Sequence, residues 1–248
     1  MKTIFAVSMA LICVYLPAQE AYEIASAMPR ELPVKHARFS LSYNEGNELP
    51  SWLAYALTPE MAKATGTVKE KYNEDPLVAT GSSSPKDYRD AGFVMAQLVP
   101  VEDMIFDLKA AAETYLMSNI VPQKVGFNKY LWQALEPLIR EWAKEGNTLY
   151  ITAGPVLADG PFGTFGENKV AIPTRYYKVI LDTNGERAIG FMFRVNTSSG
   201  TLKSFALSVD EIEKTTKIDF FINVPDELEE KLESALDLSK WNFEALKQ

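Results

Sequence analysis

The chain has 248 residues, 47% of them hydrophobic and 23% charged, which is typical of a globular protein with one large domain or two small ones. Its formal net charge of −8 argues against broad nonspecific adhesion to nucleic acid, although a basic groove on an acidic body would still bind phosphates. The single cysteine, Cys13, excludes an intramolecular disulfide and a multi-cysteine zinc site.

The N-terminus predicts a secretory signal peptide over residues 1–18. Lys2 supplies a positive head, an apolar run follows from 4 to 16, and the small residue Ala18 precedes a polar stretch. Ile12 stands before Cys13, where a lipoprotein site requires a small residue, and no later segment has eighteen uninterrupted apolar residues. We therefore expect a secreted or periplasmic protein without a membrane anchor, with an N-terminal arm over 19–35 and one folded domain over 36–248.

The first half of that domain alternates short strands with turn-forming segments. Thr58-Pro59 is typical of the start of a short helix, and Pro100 ends the third predicted strand. A polar stretch rich in glycine, serine and proline predicts a long surface loop. The predicted strands are 38–43, 51–57 and 93–99, and the loop is 64–86.

The second half contains the clearest helix of the chain. Its apolar spacing covers residues 128–144, and Asn128 is a plausible N-cap. Asp182-Thr183-Asn184-Gly185 is typical of a hairpin turn. Because strands and helices are mixed without a regular alternation, we predict an α+β class. The other expected elements are helices over 101–116, from 208 and over 226–236, a loop over 119–127, and strands over 149–153, 176–181 and 188–195.

The segment Asp87 to Met104 resembles the active-site segment of the DNA/RNA non-specific endonucleases, the ββα-metal nucleases. That family has Asp-Arg-Gly-His where this chain has Val94-Met95-Ala96-Gln97. Further segments that match the family lie in the same order along the chain, from about His36 to Trp241. They are Leu41-Ser42-Tyr43-Asn44, Trp52-Leu53-Ala54-Tyr55, Ser118-Asn119-Ile120-Val121-Pro122-Gln123, Phe127-Asn128, Trp132, Leu135-Glu136, Thr152-Ala153-Gly154-Pro155, Ala171-Ile172-Pro173 and Val209-Asp210-Glu211-Ile212-Glu213.

The resemblance implies a ββα-metal fold with a central, mainly antiparallel sheet flanked by helices, and a site for one Mg²⁺ ion. The asparagine that holds the metal in the family matches Asn128, and a second site asparagine matches Asn119. Glu136 matches a glutamate that orients metal-bound water. One amide oxygen is sufficient for Mg²⁺, which keeps most of its water ligands. The plain alternative is a helix cap for Asn128, a loop hydrogen bond for Asn119 and a solvated charge for Glu136.

Several groups that the family uses for chemistry are missing from this chain. Gln97 stands at the position of the general-base histidine, and a carboxamide orients water but cannot take its proton. Met95 and Val94 replace an arginine and an aspartate. The family's upstream arginine is also absent, and Lys69 and Lys71 are the candidate phosphate-binding residues left in that region.

The altered strand also indicates a change in the pocket. Met95 and Gln97 share one face and Val94 and Ala96 the other, so apart from Gln97 both faces are apolar. Such a strand suits burial, and we expect a smaller, drier pocket. The only histidine, His36, lies well ahead of this strand and is interpreted as structural.

Three functions remain open at this stage. The first is an exported family member, catalytically inactive or impaired, that binds DNA, RNA, a metal ion or another protein. The second is an active Mg²⁺-dependent endonuclease in which Gln97 orients water. The third is a purely structural or interaction protein with a filled site.

Overall fold

The structure is a computed structural model that describes residues 22–29 and 31–245. The predicted signal peptide, residues 1–18, lies outside the described residues. Within the described part of the chain, no helix is both long enough and apolar enough to cross a membrane.

The first half of the chain forms the strands and short helices that lead to the altered segment. Thr58 caps the first helix by accepting a hydrogen bond from Met61 N, as its Thr-Pro sequence predicted. The elements are β1 (Leu32–Lys35), β2 (Ser40–Asn44), β3 (Leu49–Leu57), α1 (Pro59–Lys63), β4 (Val94–Gln97), α2 (Val101–Met104), α3 (Leu108–Glu113), β5 (Ile120–Gln123) and α4 (Val125–Phe127).

The second half supplies most of the central sheet and the remaining helices. A π-helical turn, Asn128–Trp132, joins α4 to the longest helix. The elements are α5 (Gln133–Lys144), β6 (Leu149–Val156), β7 (Thr164–Phe165), β8 (Val170–Ala171), β9 (Arg175–Asp182), β10 (Arg187–Arg194), β11 (Ala206–Leu207), α6 (Val209–Thr216) and α7 (Asp226–Glu233).

Seven strands form one sheet in the order β1-β2-β3-β6-β9-β10-β11, and every neighbouring pair is antiparallel. The β4-β5 and β7-β8 pairs are separate two-stranded sheets. This arrangement confirms the predicted α+β class with a mainly antiparallel central sheet flanked by helices. Residues 32–35, which the sequence assigned to an N-terminal arm, form the edge strand β1, where Pro33 is tolerated.

Both faces of the sheet are buried, and the alternation along β9 shows this most clearly. Tyr176 and Ile180 pack into the core layer that also holds Leu135 and Trp142 of α5. The side chains between them point the other way, into a layer with residues of α6 and α7. Lys178 therefore points into the α5 layer, where it is fully buried.

Three local predictions differ from the structure. The helix expected over 101–116 is two helices, because Asp107 accepts hydrogen bonds from Lys109 N and Ala110 N and begins a new one. The loop expected over 119–127 contains β5, in which Pro122 is accommodated because the β4-β5 pair consists of edge strands. Asn128 is not an N-cap, since the helix already begins at Val125 and Asn128 N bonds to Lys124 O.

The landmark glycine Gly154 has a steric reason to be glycine. A Cβ atom at this position would lie 2.4 Å from the backbone oxygen of Ser51 and 2.8 Å from the hydroxyl of Tyr177. Tyr177 donates a hydrogen bond to the same Ser51 oxygen at 2.8 Å. The glycine thus allows β3, β6 and β9 to approach closely at the centre of the sheet.

We expect Gly154→Ala to lower the free energy of unfolding by about 1–3 kcal/mol, because an added methyl group in a close-packed interior forces the backbone to shift. Urea denaturation followed by circular dichroism measures this change. Gly46→Ala is the control, since its Cβ would meet nothing nearer than 3.6 Å. Equal denaturation midpoints for Gly154→Ala and the unmodified protein would contradict the steric argument.

Candidate active site

The candidate site lies where the β4-β5 pair meets the helix that starts at Val125. In the antiparallel register Gln97 pairs with Ile120 and Val94 with Gln123, so the altered segment faces the turn that precedes the helix. A cleft of about 260 Å³ opens here. It is lined by Glu70, Tyr72, Met95, Ala96, Gln97, Glu102, Tyr115, Asn128, Trp132, Gln133 and Glu136.

Gln97 uses its side chain to hold neighbouring elements together. Its Nε2 donates to the backbone oxygen of Thr114 at 3.0 Å and to the Thr114 hydroxyl at 3.1 Å. Its Oε1 accepts from Val101 N at 3.1 Å, at the first turn of α2. Trp132 Nε1 donates to the Gln97 backbone oxygen at 3.0 Å. The carboxamide therefore ties β4 to α2 and to the end of α3.

Asn128 lies on the π-helical turn at the edge of the cleft. Its Nδ2 donates to Oε1 of Gln123 at 3.0 Å, which fixes the orientation of the amide. Asn128 Oδ1 accepts no hydrogen bond from any residue in the described part of the chain and is left for another ligand. Gln123 is fully buried, and its Nε2 has no hydrogen-bond partner.

Glu136 reaches the cleft from the first turn of α5, directly above a buried charge network. Arg140 Nη1 bonds to Asp103 Oδ1 at 2.9 Å, and the hydroxyl of Tyr55 donates to Asp103 Oδ2 at 2.8 Å. Burial raises the pKa of Glu136 to about 7, while the positive charge of Lys178 opposes this rise.

Lys178 is the least solvated cation of this network. Its Nζ lies 4.6 Å from the centre of the Trp132 ring and has no hydrogen-bond partner. Burial lowers the pKa of Lys178, and the carboxylates of Glu136 and Asp103 partly offset that effect. The ammonium group therefore acts on the site through its charge and its contact with the indole face.

The outer lining of the cleft is acidic and aromatic. Glu70 and Glu102 contribute carboxylates, and the rings of Tyr72 and Tyr115 meet edge to face with centroids 5.3 Å apart. Lys69 and Lys71, predicted to contact phosphate, are exposed and do not line the cleft. The predicted dry pocket is wrong, because most of the lining side chains are polar or charged and only Ala96 of the altered strand is buried.

Asn119, a candidate nucleic-acid contact from the resemblance, lies in the interior and not in the open cleft. The residue is fully buried, and its Oδ1 accepts from Val99 N at 2.9 Å. Its Nδ2 donates to the backbone oxygens of Val99 and Thr114 at 3.0 and 2.8 Å. All of these partners are backbone groups, so Asn119 joins the end of β4 to the segment before β5.

His36 lies away from the cleft. Its Nε2 pairs with Asp75 Oδ2 at 2.9 Å, and its ring packs on Phe39 at a centroid distance of 4.6 Å. Asp75 also accepts a hydrogen bond from Ser118. This environment is consistent with the structural interpretation of the histidine, since the pair links β1 to the loop over 64–86.

The sequence reasoning missed several residues of the site, and two signals could have found some of them. Side chains alternate along an extended chain, so Glu70 and Tyr72 lie on one side and Lys69 and Lys71 on the other. Arg140 stands four residues after Glu136, one helical turn further along the same face. Glu102 and Lys178 gave no comparable signal, because only the tertiary packing brings them to this site.

The fold and the placement of an asparagine and a glutamate on the helix beside the β4-β5 pair define a ββα-metal type of protein. A solved structure described as the EndoG/EndoGI complex superimposes with a TM-score of 0.70 at 24% identity, covering 79% of this chain and 88% of that chain, which supports the fold. The family model for DNA/RNA non-specific endonuclease matches residues 24–227. The chain therefore belongs to the DNA/RNA non-specific endonuclease family.

Two relatives illustrate the extent of the similarity. Nuclease C1 of Cunninghamella echinulata var. echinulata is 30% identical over 201 residues, covering 74% of this chain and 80% of its own length. A nuclease of Nostoc sp. is 27% identical over 214 residues, covering 81% of this chain and 77% of its own length.

The family consists of metal-dependent nucleases, and the residues present here fit a divalent cation. Asn128 Oδ1 meets no donor from the described residues, and Glu136 lines the same cleft. Amide and carboxylate oxygens are hard ligands that suit such ions. When bound, the ion would polarise a phosphate oxygen, and the residues of this chain would hold it without supplying a histidine base.

We expect Gln97→Ala to lower the free energy of unfolding by about 1–3 kcal/mol, because three hydrogen bonds that join β4, α2 and α3 are lost. Chemical denaturation measures the loss. Gln133→Ala is the matched control, since Gln133 lines the same cleft but is exposed. If both variants unfold at the midpoint of the unmodified protein, Gln97 does not have the structural role described.

We expect Glu136→Gln to change how stability depends on pH. The pKa of Glu136 is raised from 4.5 to about 7 in the folded protein, so its stabilising contribution is complete below about pH 4.5 and is lost as pH rises through about 7. Between pH 5 and 8 the unmodified protein should lose roughly 1–3 kcal/mol relative to the variant, since one pKa unit corresponds to about 1.4 kcal/mol. A further fall in the pKa of Lys178 in the variant acts in the same direction.

Urea denaturation at both pH values measures this difference, with Glu227→Gln at an exposed position of α7 as the control. Parallel pH profiles for Glu136→Gln and the unmodified protein would contradict the prediction.

Proposed function

We propose that this chain is a catalytically inactive or strongly impaired member of its family, retained as a binding protein. The observation that carries the proposal is the state of Gln97, whose amide nitrogen and oxygen are both bonded inside the protein. A carboxamide has no basic lone pair near neutral pH, and the amide nitrogen of this one is already bonded to Thr114. Loss of a general base lowers a rate by about 10² to 10⁴.

The charge of the cleft supports the same proposal. Glu70 lies in the segment where the family has an arginine, and Glu102 and Glu136 add further carboxylates. A phosphodiester carries negative charge, and in its transition state that charge must be stabilised by donors or cations. These carboxylates repel such a substrate unless a cation is bound between them.

Our proposal for the retained role is metal binding together with contact to nucleic acid or another protein. Asn128 would hold Mg²⁺ through its Oδ1 atom. Lys69 and Lys71, exposed on the segment that carries Glu70, are the proposed phosphate contacts. We further propose that the N-terminal segment directs export, so that the protein acts in a secreted or periplasmic setting.

An active Mg²⁺-dependent endonuclease is the second candidate, and one observation favours it. Glu136 lines the same cleft as Asn128, and its raised pKa of about 7 makes its carboxylate a stronger base than an ordinary glutamate. In that case Glu136 would accept the proton of the attacking water in place of histidine. The third candidate, a filled site, is disfavoured by the open cleft of about 260 Å³.

Plasmid DNA and RNA are incubated with the full chain and Mg²⁺ or Mn²⁺. We expect no metal-dependent cleavage by the unmodified protein. A variant in which the four residues Val94 to Gln97 become Asp-Arg-Gly-His should gain activity by about 10²-fold or more over background, because a general base is restored. Adding Glu70→Arg to that variant should increase the activity further.

The controls separate the two candidates. Cleavage by the unmodified chain that disappears in Asn128→Ala and Glu136→Gln would overturn the inactive assignment and support Glu136 as base. Binding of a fluorescent DNA duplex at low salt is measured in parallel, with the double variant Lys69→Gln/Lys71→Gln. Affinity that is unchanged in the double variant would remove these lysines as phosphate contacts.

A further inference from the structure

A second group of carboxylates lies on the other face of the sheet, between α6 and α7. Asp210 and Glu213 stand one turn apart on α6, and Glu233 is the last residue of α7. One carboxylate oxygen from each of the three lies within 4.8 Å of the other two. No function described above uses this group.

Rigid packing holds these side chains in place. The capping box of Ser208 and Glu211 fixes the start of α6. Ile212 packs so closely on β10 that a Cβ at Gly190 would lie 2.2 Å from its Cδ1 atom. Leu232 anchors α7 in the same core layer. The carboxylates therefore cannot move far apart without disturbing the core.

Glu233 is the member of the group that most needs a ligand. Glu233 is only 4% exposed, and its Oε1 has no hydrogen-bond partner among the described residues. Burial raises its pKa to about 9, and the neighbouring carboxylates of Glu213, Glu229, Asp210 and Asp219 contribute to the rise. A buried carboxylate without a donor or a cation carries a large desolvation cost.

Within the described part of the chain, no lysine or arginine forms an ion pair with this group. The nearest cation on α7, Lys231, bonds instead to Glu186 at 2.6 Å. No cation of the described chain therefore compensates the charge that these side chains carry when they are ionised, and a metal ion that binds here would displace the proton of Glu233.

We propose that Asp210, Glu213 and Glu233 form a binding site for a Ca²⁺ ion. Calcium takes oxygen ligands at about 2.3–2.6 Å, so two oxygens on one ion can lie as much as about 5 Å apart. The three oxygens lie within 4.8 Å of one another, which this spacing permits. Magnesium, with ligands at about 2.0–2.1 Å in a strict octahedron, holds its oxygens closer together and tolerates less variation in their positions.

The bound ion would join three segments of the protein. Phe220 N donates to Glu213 Oε1 at 2.7 Å, which connects the site to the loop after α6. In that loop Asp219 is hydrogen-bonded to Ser26 of the N-terminal segment through backbone groups and the Ser26 hydroxyl. Calcium would thus stabilise α6, α7 and the docked N-terminal segment as one unit, on the side of the sheet opposite the cleft.

Isothermal titration of the chelator-treated full chain with CaCl₂ tests the site directly, and thermal unfolding with and without Ca²⁺ gives a second readout. We expect a dissociation constant on the order of 10⁻⁴ to 10⁻³ M, the range of weak calcium modules, and a rise in Tm with Ca²⁺. Glu233→Gln and, separately, Asp210→Asn should weaken binding by tenfold or more and remove the rise in Tm. Glu230→Gln, an exposed position on the same helix, should behave like the unmodified protein.

Asn128→Ala distinguishes this site from the cleft, and it should leave Ca²⁺ binding unchanged. The proposal is overturned if the unmodified chain shows neither heat of binding nor a rise in Tm, or if both cluster variants bind Ca²⁺ as well as it does. Binding that is lost only in Asn128→Ala would place the ion in the cleft instead. Tighter binding of Mg²⁺ than of Ca²⁺ would overturn the assignment of the ion.

Discussion

The burial of the central sheet on both faces is the constraint on which the rest of the structure depends. Because neighbouring residues of β9 point into opposite core layers, a charged residue in the middle of this strand has no route to solvent. Lys178 is such a residue, and its ammonium group lies against the face of Trp132 beneath Glu136. A buried cation of this kind requires nearby negative charge, and the helix over the sheet supplies it.

Gln97 has a structural role at the position where the resemblance places the general base of the family. A histidine acting as base must leave one ring nitrogen directed at the substrate. The amide nitrogen of Gln97 instead donates to Thr114, and its amide oxygen accepts from Val101 N. Its short amide forms three bonds at a place where β4 ends and two short helices meet. The side chain of Gln97 therefore holds these elements together, which agrees with the proposed loss of the base.

The sequence predicted the fold well where patterns were local or shared with a family. The short helix that begins after Thr58, the Asp182–Gly185 turn and the α+β class were all confirmed. The charge network could not be predicted, because Asp103, Glu136, Arg140 and Lys178 come from three distant segments. Asn119 was assigned to the site from the family landmark alone, and nothing in the sequence indicated that backbone groups would occupy its whole side chain.

Several residues in and around the candidate site also stabilise the fold. Arg140 compensates buried Asp103, Lys178 compensates Glu136, and Asn119 fastens β4. Removing one partner of a buried pair leaves the other charge uncompensated, which costs about 3–5 kcal/mol. The residues that differ, Val94 to Gln97, lie on a two-stranded pair at the edge of the cleft, where no such penalty applies. The stability of the fold therefore depends on the charged part of the candidate site, whatever its chemistry. Glu233 differs from these buried groups because no cation of the described chain compensates it. Its unpartnered carboxylate is therefore the basis for the proposed calcium ligand.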